Sequence, residues 1–322
     1  MIKVLSIDGG GIRGIIPALI LEEIENRTHK PISTLFNLIT GTSTGGIISL
    51  ALVKPSKNGS PEYKAGDIVK LYENEGSKIF SRDLWHTVTS IDNLLEEKYT
   101  NSGIANVLSH YFGDTLLSSS LTEVIIPSYE IELRSPWFFK SKKAREKDKD
   151  SDFFMRDVAR ATSAAPTYFE PISIKAYGGN TYFSFIDGGV FANNPSMCAY
   201  VEAKSMYKRD DILVVSLGVG EHTRPISYKN AKDWGLAMWA KPILGVVFDG
   251  VSSTVDYQLK ELLPKVNGLN RYYRFQSRLD IGSDEMDNTS KSNINALKLL
   301  AHDIINENKD SLDALTKQLT EI

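Results

Sequence analysis

The chain is 322 residues long, 42% hydrophobic, with a net charge of −3, five histidines and a single cysteine, Cys198. Lys and Arg are scattered along it, so no basic face makes nucleic acid the main partner, and one cysteine excludes an internal disulfide framework. This length buries one large α/β core, and a single domain over 1–322 is expected, with a core over about 1–220 and a helical C-terminal part over about 221–322 packed on it.

The chain opens on an apolar β-branched run at 2–7, without the basic start and cleavage site of a secretory signal, so the cytoplasm is the expected location. Glu22 and Glu23 interrupt the apolar run after Ile15, well short of the about 18 apolar residues needed to span a bilayer, so any membrane contact is expected to be peripheral. Strands over 2–7 and 36–40 each lead into a helix, over 15–27 and 43–53, which is parallel α/β logic. Pro17 is tolerated in the first turn of the first of these helices. The loop at 54–62 carries Pro55, Gly59, Ser60 and Pro61. Helices are predicted over 65–76, 101–111, 153–164, 195–207, 291–305 and 309–320, and strands over 122–133, 136–140, 181–186 and 212–217. The stretch 140–152 reads as a charged loop with Lys142, Lys143, Arg145, Lys147 and Lys149, and Cys198 as a small hydrophobe buried in its helix.

Two strand-to-helix turns carry the chemistry. In the first, Asp8 to Gly14, the glycines at Gly9, Gly10 and Gly11 leave backbone N–H groups unencumbered, a nest suited to an oxyanion, with Gly10 and Gly11 as its donors. Arg13 either steadies this loop through carbonyls or supplies positive potential to it. The spacing of Gly9, Gly11 and Gly14 also fits a dinucleotide fingerprint, which requires an acidic residue at the end of the next strand. That strand ends in Gly41 without one, and Glu22, Glu23 and Glu25 lie in the intervening helix.

In the second turn Gly41 and Gly45 flank Ser43 at two-residue spacing, which relieves a sharp elbow and exposes the hydroxyl at a helix N-terminus whose dipole favours developing negative charge. The alternative is that Gly41, Gly45 and Gly46 only allow close helix–sheet packing and that Ser43 is an N-cap. A serine nucleophile needs a base. None of His29, His86, His110, His222 and His302 follows a strand end in a glycine-marked turn, although His222, after the 212–217 strand, comes nearest. Asp187, at a strand end before Gly188 and Gly189, is the better candidate, against the alternative of a turn aspartate capping its own backbone.

These three motifs resemble the patatin-like phospholipases in the glycine-rich loop Asp8 to Gly14, the elbow Gly41 to Gly45, and Asp187-Gly188-Gly189. Further matches are Ala161 to Phe169, Asn193-Asn194-Pro195, Ser216-Leu217-Gly218, Val255-Asp256-Tyr257 and Tyr272 to Gln276, so nearly the whole chain is covered. The resemblance implies a three-layer α/β/α fold with a mainly parallel central sheet, related to the cytosolic phospholipase A2 catalytic fold. It also implies a lipid acyl hydrolase that needs neither cofactor nor metal, acting at a membrane surface or micelle. Ser43 is then the nucleophile and Asp187 the base, Gly10 and Gly11 form the oxyanion hole, and Gly9, Arg13, Gly14, Gly41, Gly45, Gly188 and Gly189 support them. On that basis activity falls on acidification without an imidazole-like titration near pH 6.5. Trp137, Phe138 and Phe139 beside the basic loop form either a membrane wedge or a core strand, with the core strand preferred. A storage protein on the same fold and a ligand-activated immune effector phospholipase are the alternatives.

Overall fold

The computed structural model describes residues 1–79, 101–146, 150–209, 211–239 and 242–321. One sheet organises them, in the order β5-β6-β3-β2-β1-β7-β8, with β4 on β3. Its strands are β1 (Ile2–Ile7), β2 (Leu38–Gly41), β3 (Glu123–Glu130), β4 (Ser135–Lys140), β5 (Ile172–Lys175), β6 (Tyr182–Asp187), β7 (Ile212–Leu217) and β8 (Tyr272–Phe275). From β3 through β2, β1 and β7 to β8 every pairing is parallel, while β4, β5 and β6 add antiparallel pairings at the other end.

The central strands are apolar on both faces because helices cover both faces, as a parallel sheet requires. Alternation sorts their side chains. Leu5, Ile7, Ile39, Val124, Ile126, Leu213 and Val215 enter the larger core with the helices Ile15–Thr28, Thr44–Val53, Ala65–Ile79 and Lys291–Glu307. Val4, Leu38, Ile125, Ile212 and Val214 point the other way, onto Ala199 and Ala203 of the helix Ser196–Tyr207 and Leu259 of the helix Pro242–Leu262. The result is the expected three-layer α/β/α arrangement.

Several local expectations change. Residues 141–145, read as charged loop, form a helix in which Ser141 and Ala144 are buried, while Lys147 and Lys149 lie outside the described residues. The preferred core-strand reading of β4 holds, since Trp137 and Phe139 pack edge-on against Phe185 and Phe138 meets Phe191. The C-terminal part, expected to be helical, also supplies β8, hydrogen-bonded in parallel to β7. The helix Pro242–Leu262 escapes sequence reading because Val246, Tyr257 and Leu262 are exposed on it, which blurs the apolar period. Among the described residues no helix is long and apolar enough to cross a membrane.

Candidate active site

The parallel strands bring the three glycine-marked turns to their C-terminal edge. Turns after neighbouring β1 and β2 are adjacent by construction, and Asp187 closes β6, paired with Ser128 on β3. Ser43 does not start the helix as expected but precedes it, at φ 55° and ψ −122°, a left-handed conformation that a side chain rarely adopts. Its hydroxyl makes no N-cap bond and instead lies where it favours the charge of the Asp187 carboxylate.

Two threonines hold this strained elbow. The Ser43 N–H donates to Thr162 Oγ1 at 3.0 Å, and the Thr162 hydroxyl donates onward to the Pro127 carbonyl at 2.6 Å. Thr42 Oγ1 donates to the Ala192 carbonyl at 2.6 Å, tying the elbow to the segment that follows Asp187. Both lie inside named segments, Gly41 to Gly45 and Ala161 to Phe169, yet spacing alone gives neither threonine this role. The glycines nevertheless do the packing work of the alternative reading: a methyl on Gly41 would strike the Gly45 carbonyl, and one on Gly45 the Ile7 carbonyl.

Asp187 is 1% exposed, and one of its oxygens, Oδ1, accepts the Gly189 N–H at 2.6 Å. The turn aspartate therefore caps its own backbone and also meets the serine, which reconciles the two readings of this motif. Burial pushes its carboxyl up to about 7, opposed by the Ser43 hydroxyl, the Gly189 N–H and the Arg160 cation. Gly188 packs on the Pro127 carbonyl, where a methyl would come within 2.5 Å.

In the first turn Gly9 is committed, its N–H donating to the Asn193 carbonyl at 3.0 Å. Among the described residues the N–H groups of Gly10 and Gly11 have no such partner. Gly11 sits at φ +60°, where a methyl would strike the Met286 carbonyl, and Gly14 packs on Thr44 and Tyr72. Asp8, the first residue of this motif, is buried against Arg274 of β8 in a two-pronged ion pair with contacts of 2.6 and 3.0 Å. Burial works against the Arg274 charge, but Asp8 more than offsets it and holds that guanidinium above its ordinary value. Arg13 donates from Nε to the Gly10 carbonyl at 3.3 Å. His222 contacts Arg13 and Asp249 and does not reach Ser43's pocket, and His86 lies outside the described residues.

Ser43 and Gly11 open onto an apolar pocket lined by Ile47, Tyr72, Ile79, Ile104, Tyr168, Phe169 and Met286. No histidine lines it among the described residues. A buried carboxylate on a strained serine, with unpaired N–H groups beside them and an apolar recess, is an arrangement for attack on an acyl carbonyl.

Residues 5–200 match the family described as patatin-like phospholipase. The chain is 31% identical over 349 residues to Patatin-like protein 4 of Arabidopsis thaliana, covering 98% of this chain and 86% of that one. It is 31% identical to Patatin-T5 of Solanum tuberosum, covering 95% of this chain and 84% of the relative. It is also 31% identical to a protein of the same plant described as Probable inactive patatin-3-Kuras 1, covering 100% of this chain and 92% of that one.

Proposed function

The chain belongs to the patatin-like phospholipase family, and from that premise we propose that it is a lipid acyl hydrolase that cleaves fatty-acyl esters of polar glycerolipids through a Ser43–Asp187 dyad. The observation that carries this reading is a buried carboxyl, raised toward neutrality, beside the Ser43 hydroxyl. An ordinary aspartate is a poor base at neutral pH, whereas one titrating near the working pH combines ionisation with proton affinity.

Ser43 Oγ attacks the acyl carbonyl as its proton passes to Asp187, and the N–H groups of Gly10 and Gly11 donate to the oxyanion, aided by the positive end of the helix Thr44–Val53. The tetrahedral intermediate collapses as Asp187 returns that proton to the departing alkoxide of the glycerolipid. Water then gives a proton to Asp187 and attacks the acyl-enzyme, and Asp187 returns that proton to Ser43 Oγ as the fatty acid leaves. The acyl chain occupies the apolar pocket lined by Ile47, Tyr168 and Phe169. The substrate is met at a membrane surface or micelle, by peripheral contact, in the cytoplasm.

The test is fatty-acid release from phospholipid vesicles, galactolipid micelles and short p-nitrophenyl esters. Wild type is expected to hydrolyse the lipids, and Ser43→Ala to fall by at least about a thousandfold. Release at the parental rate by Ser43→Ala would put the nucleophile elsewhere, and hydrolysis of short esters alone would make the protein an esterase. Turnover has to be measured, since one relative is described as probably inactive.

A further inference from the structure

Beside the glycine-rich turn lies a polar cavity of about 240 Å³ whose lining includes Arg13, His222 and Asp249. Three separate segments meet there: the turn after β1, the loop after β7 and the helix Pro242–Leu262. Arg13 Nη1 lies 3.2 Å from His222 Nε2, and His222 Nδ1 lies 2.8 and 3.0 Å from the two oxygens of Asp249. A guanidinium has donors only, so His222 Nε2 accepts, the ring is neutral, and its proton sits on Nδ1, donated to Asp249. This is the geometry of a base and its orienter, turned onto an arginine instead of a serine.

Its consequence runs through one peptide plane. Arg13 is 3% exposed, and both its Nε and its backbone N–H donate to the Gly10 carbonyl at 3.3 Å. In a trans peptide the C=O of Gly10 and the N–H of Gly11 point in opposite directions, so fixing that carbonyl on Arg13 turns the Gly11 N–H away from it. Gly11 shares Ser43's pocket. Two flanking glycines would otherwise leave the plane free to flip. With His222 removed, Arg13 Nη1 loses its acceptor, and the attraction of Asp249 for the cation competes with the Gly10 carbonyl.

We propose that His222 and Asp249 are positioning residues that hold Arg13 on the Gly10 carbonyl and thereby aim the Gly11 N–H at the acyl oxygen. This rests on the acyl-hydrolase reading, so the test has one readout that needs turnover and one that does not. On a soluble p-nitrophenyl ester, His222→Ala is expected to lower kcat by about ten- to a hundredfold with KM within about twofold, less than the loss of an oxyanion donor itself. His222→Gln, whose amide oxygen reaches the Nε2 position as a permanent acceptor, is expected to restore kcat to within about threefold of wild type. Nitrogen-15 NMR of the wild-type protein should show the His222 proton on Nδ1. Parental kcat in His222→Ala, a His222→Gln as impaired as the alanine variant, or a proton on Nε2 each overturn the proposal. An inactive wild type that shows the Nδ1 proton would instead overturn the acyl-hydrolase reading and leave the anchoring of Arg13 standing.

Discussion

In the proposed dyad, the carboxylate of Asp187 that caps its own turn is also the one that would take the serine proton. Its bond to the Gly189 N–H fixes the side chain, and burial raises its pKa to about 7. The sign of the pH dependence follows: attack needs the ionised form, so kcat/KM should fall as pH drops through about 7, with Asp187→Asn inactive throughout. The acid limb therefore falls where an imidazole would titrate, contrary to the expectation of no such titration near pH 6.5. Only the Asp187→Asn and histidine variants separate the two assignments. Stability moves the opposite way. A carboxyl raised in the folded state stabilises the fold most at low pH, and that contribution is lost as pH rises from the unfolded value of 3.8 through about 7. Asp187→Asn should thus be more stable than wild type above pH 7, by on the order of 2 kcal/mol, read as the difference in urea midpoints at pH 5 and pH 8. An asparagine variant destabilised at pH 8 would contradict a buried, raised carboxyl.

At the scale of elements, each turn consists of a strand end and a helix start pressed closer than side chains allow. The elbow at Ser43 shows this best, since Gly45 lies against the Ile7 carbonyl of β1 and both partners are backbone, with no side chain free to move aside. Gly45→Ala is therefore expected to cost about 3 kcal/mol in chemical denaturation, while Gly235→Ala, facing open space, should stay within about 0.5 kcal/mol of wild type. Equal stability for the two would mean that the elbow does not need its close approach. The aromatic strand β4 illustrates the limit of local pattern. Trp137, Phe138 and Phe139 beside lysines allow a surface wedge as well as the preferred core strand, and the rings brought by β6, Phe183 and Phe185, pack Trp137 and Phe139 into the core.

At the scale of the molecule, the first motif depends on the far end of the chain. Asp8 is 1% exposed, and its counter-charge is Arg274 on β8, which also donates to Ser216 at 2.7 Å. Removing one partner of a buried pair leaves a desolvated charge, so Arg274→Met should destabilise by about 3–5 kcal/mol. A chain ending at residue 220 loses Arg274 together with the strand that covers β7, and it should fail to give a cooperative unfolding transition by circular dichroism. A folded 1–220 fragment would instead make the C-terminal part an accessory. Read alone, the sequence was enough for the α/β class and most helices of the larger core, and it named Ser43, Asp187 and the glycine-rich turn as candidates. Those rest on local rules, namely alternation, helical period and the conformations only glycine tolerates. The tertiary structure alone decided that Thr42 and Thr162 clamp the elbow, that Arg274 neutralises Asp8, that the helix Pro242–Leu262 brings Asp249 to His222, and that Asp187 titrates near neutrality. Each of these depends on burial or on a contact across many residues, and neither leaves a period or a spacing in the sequence.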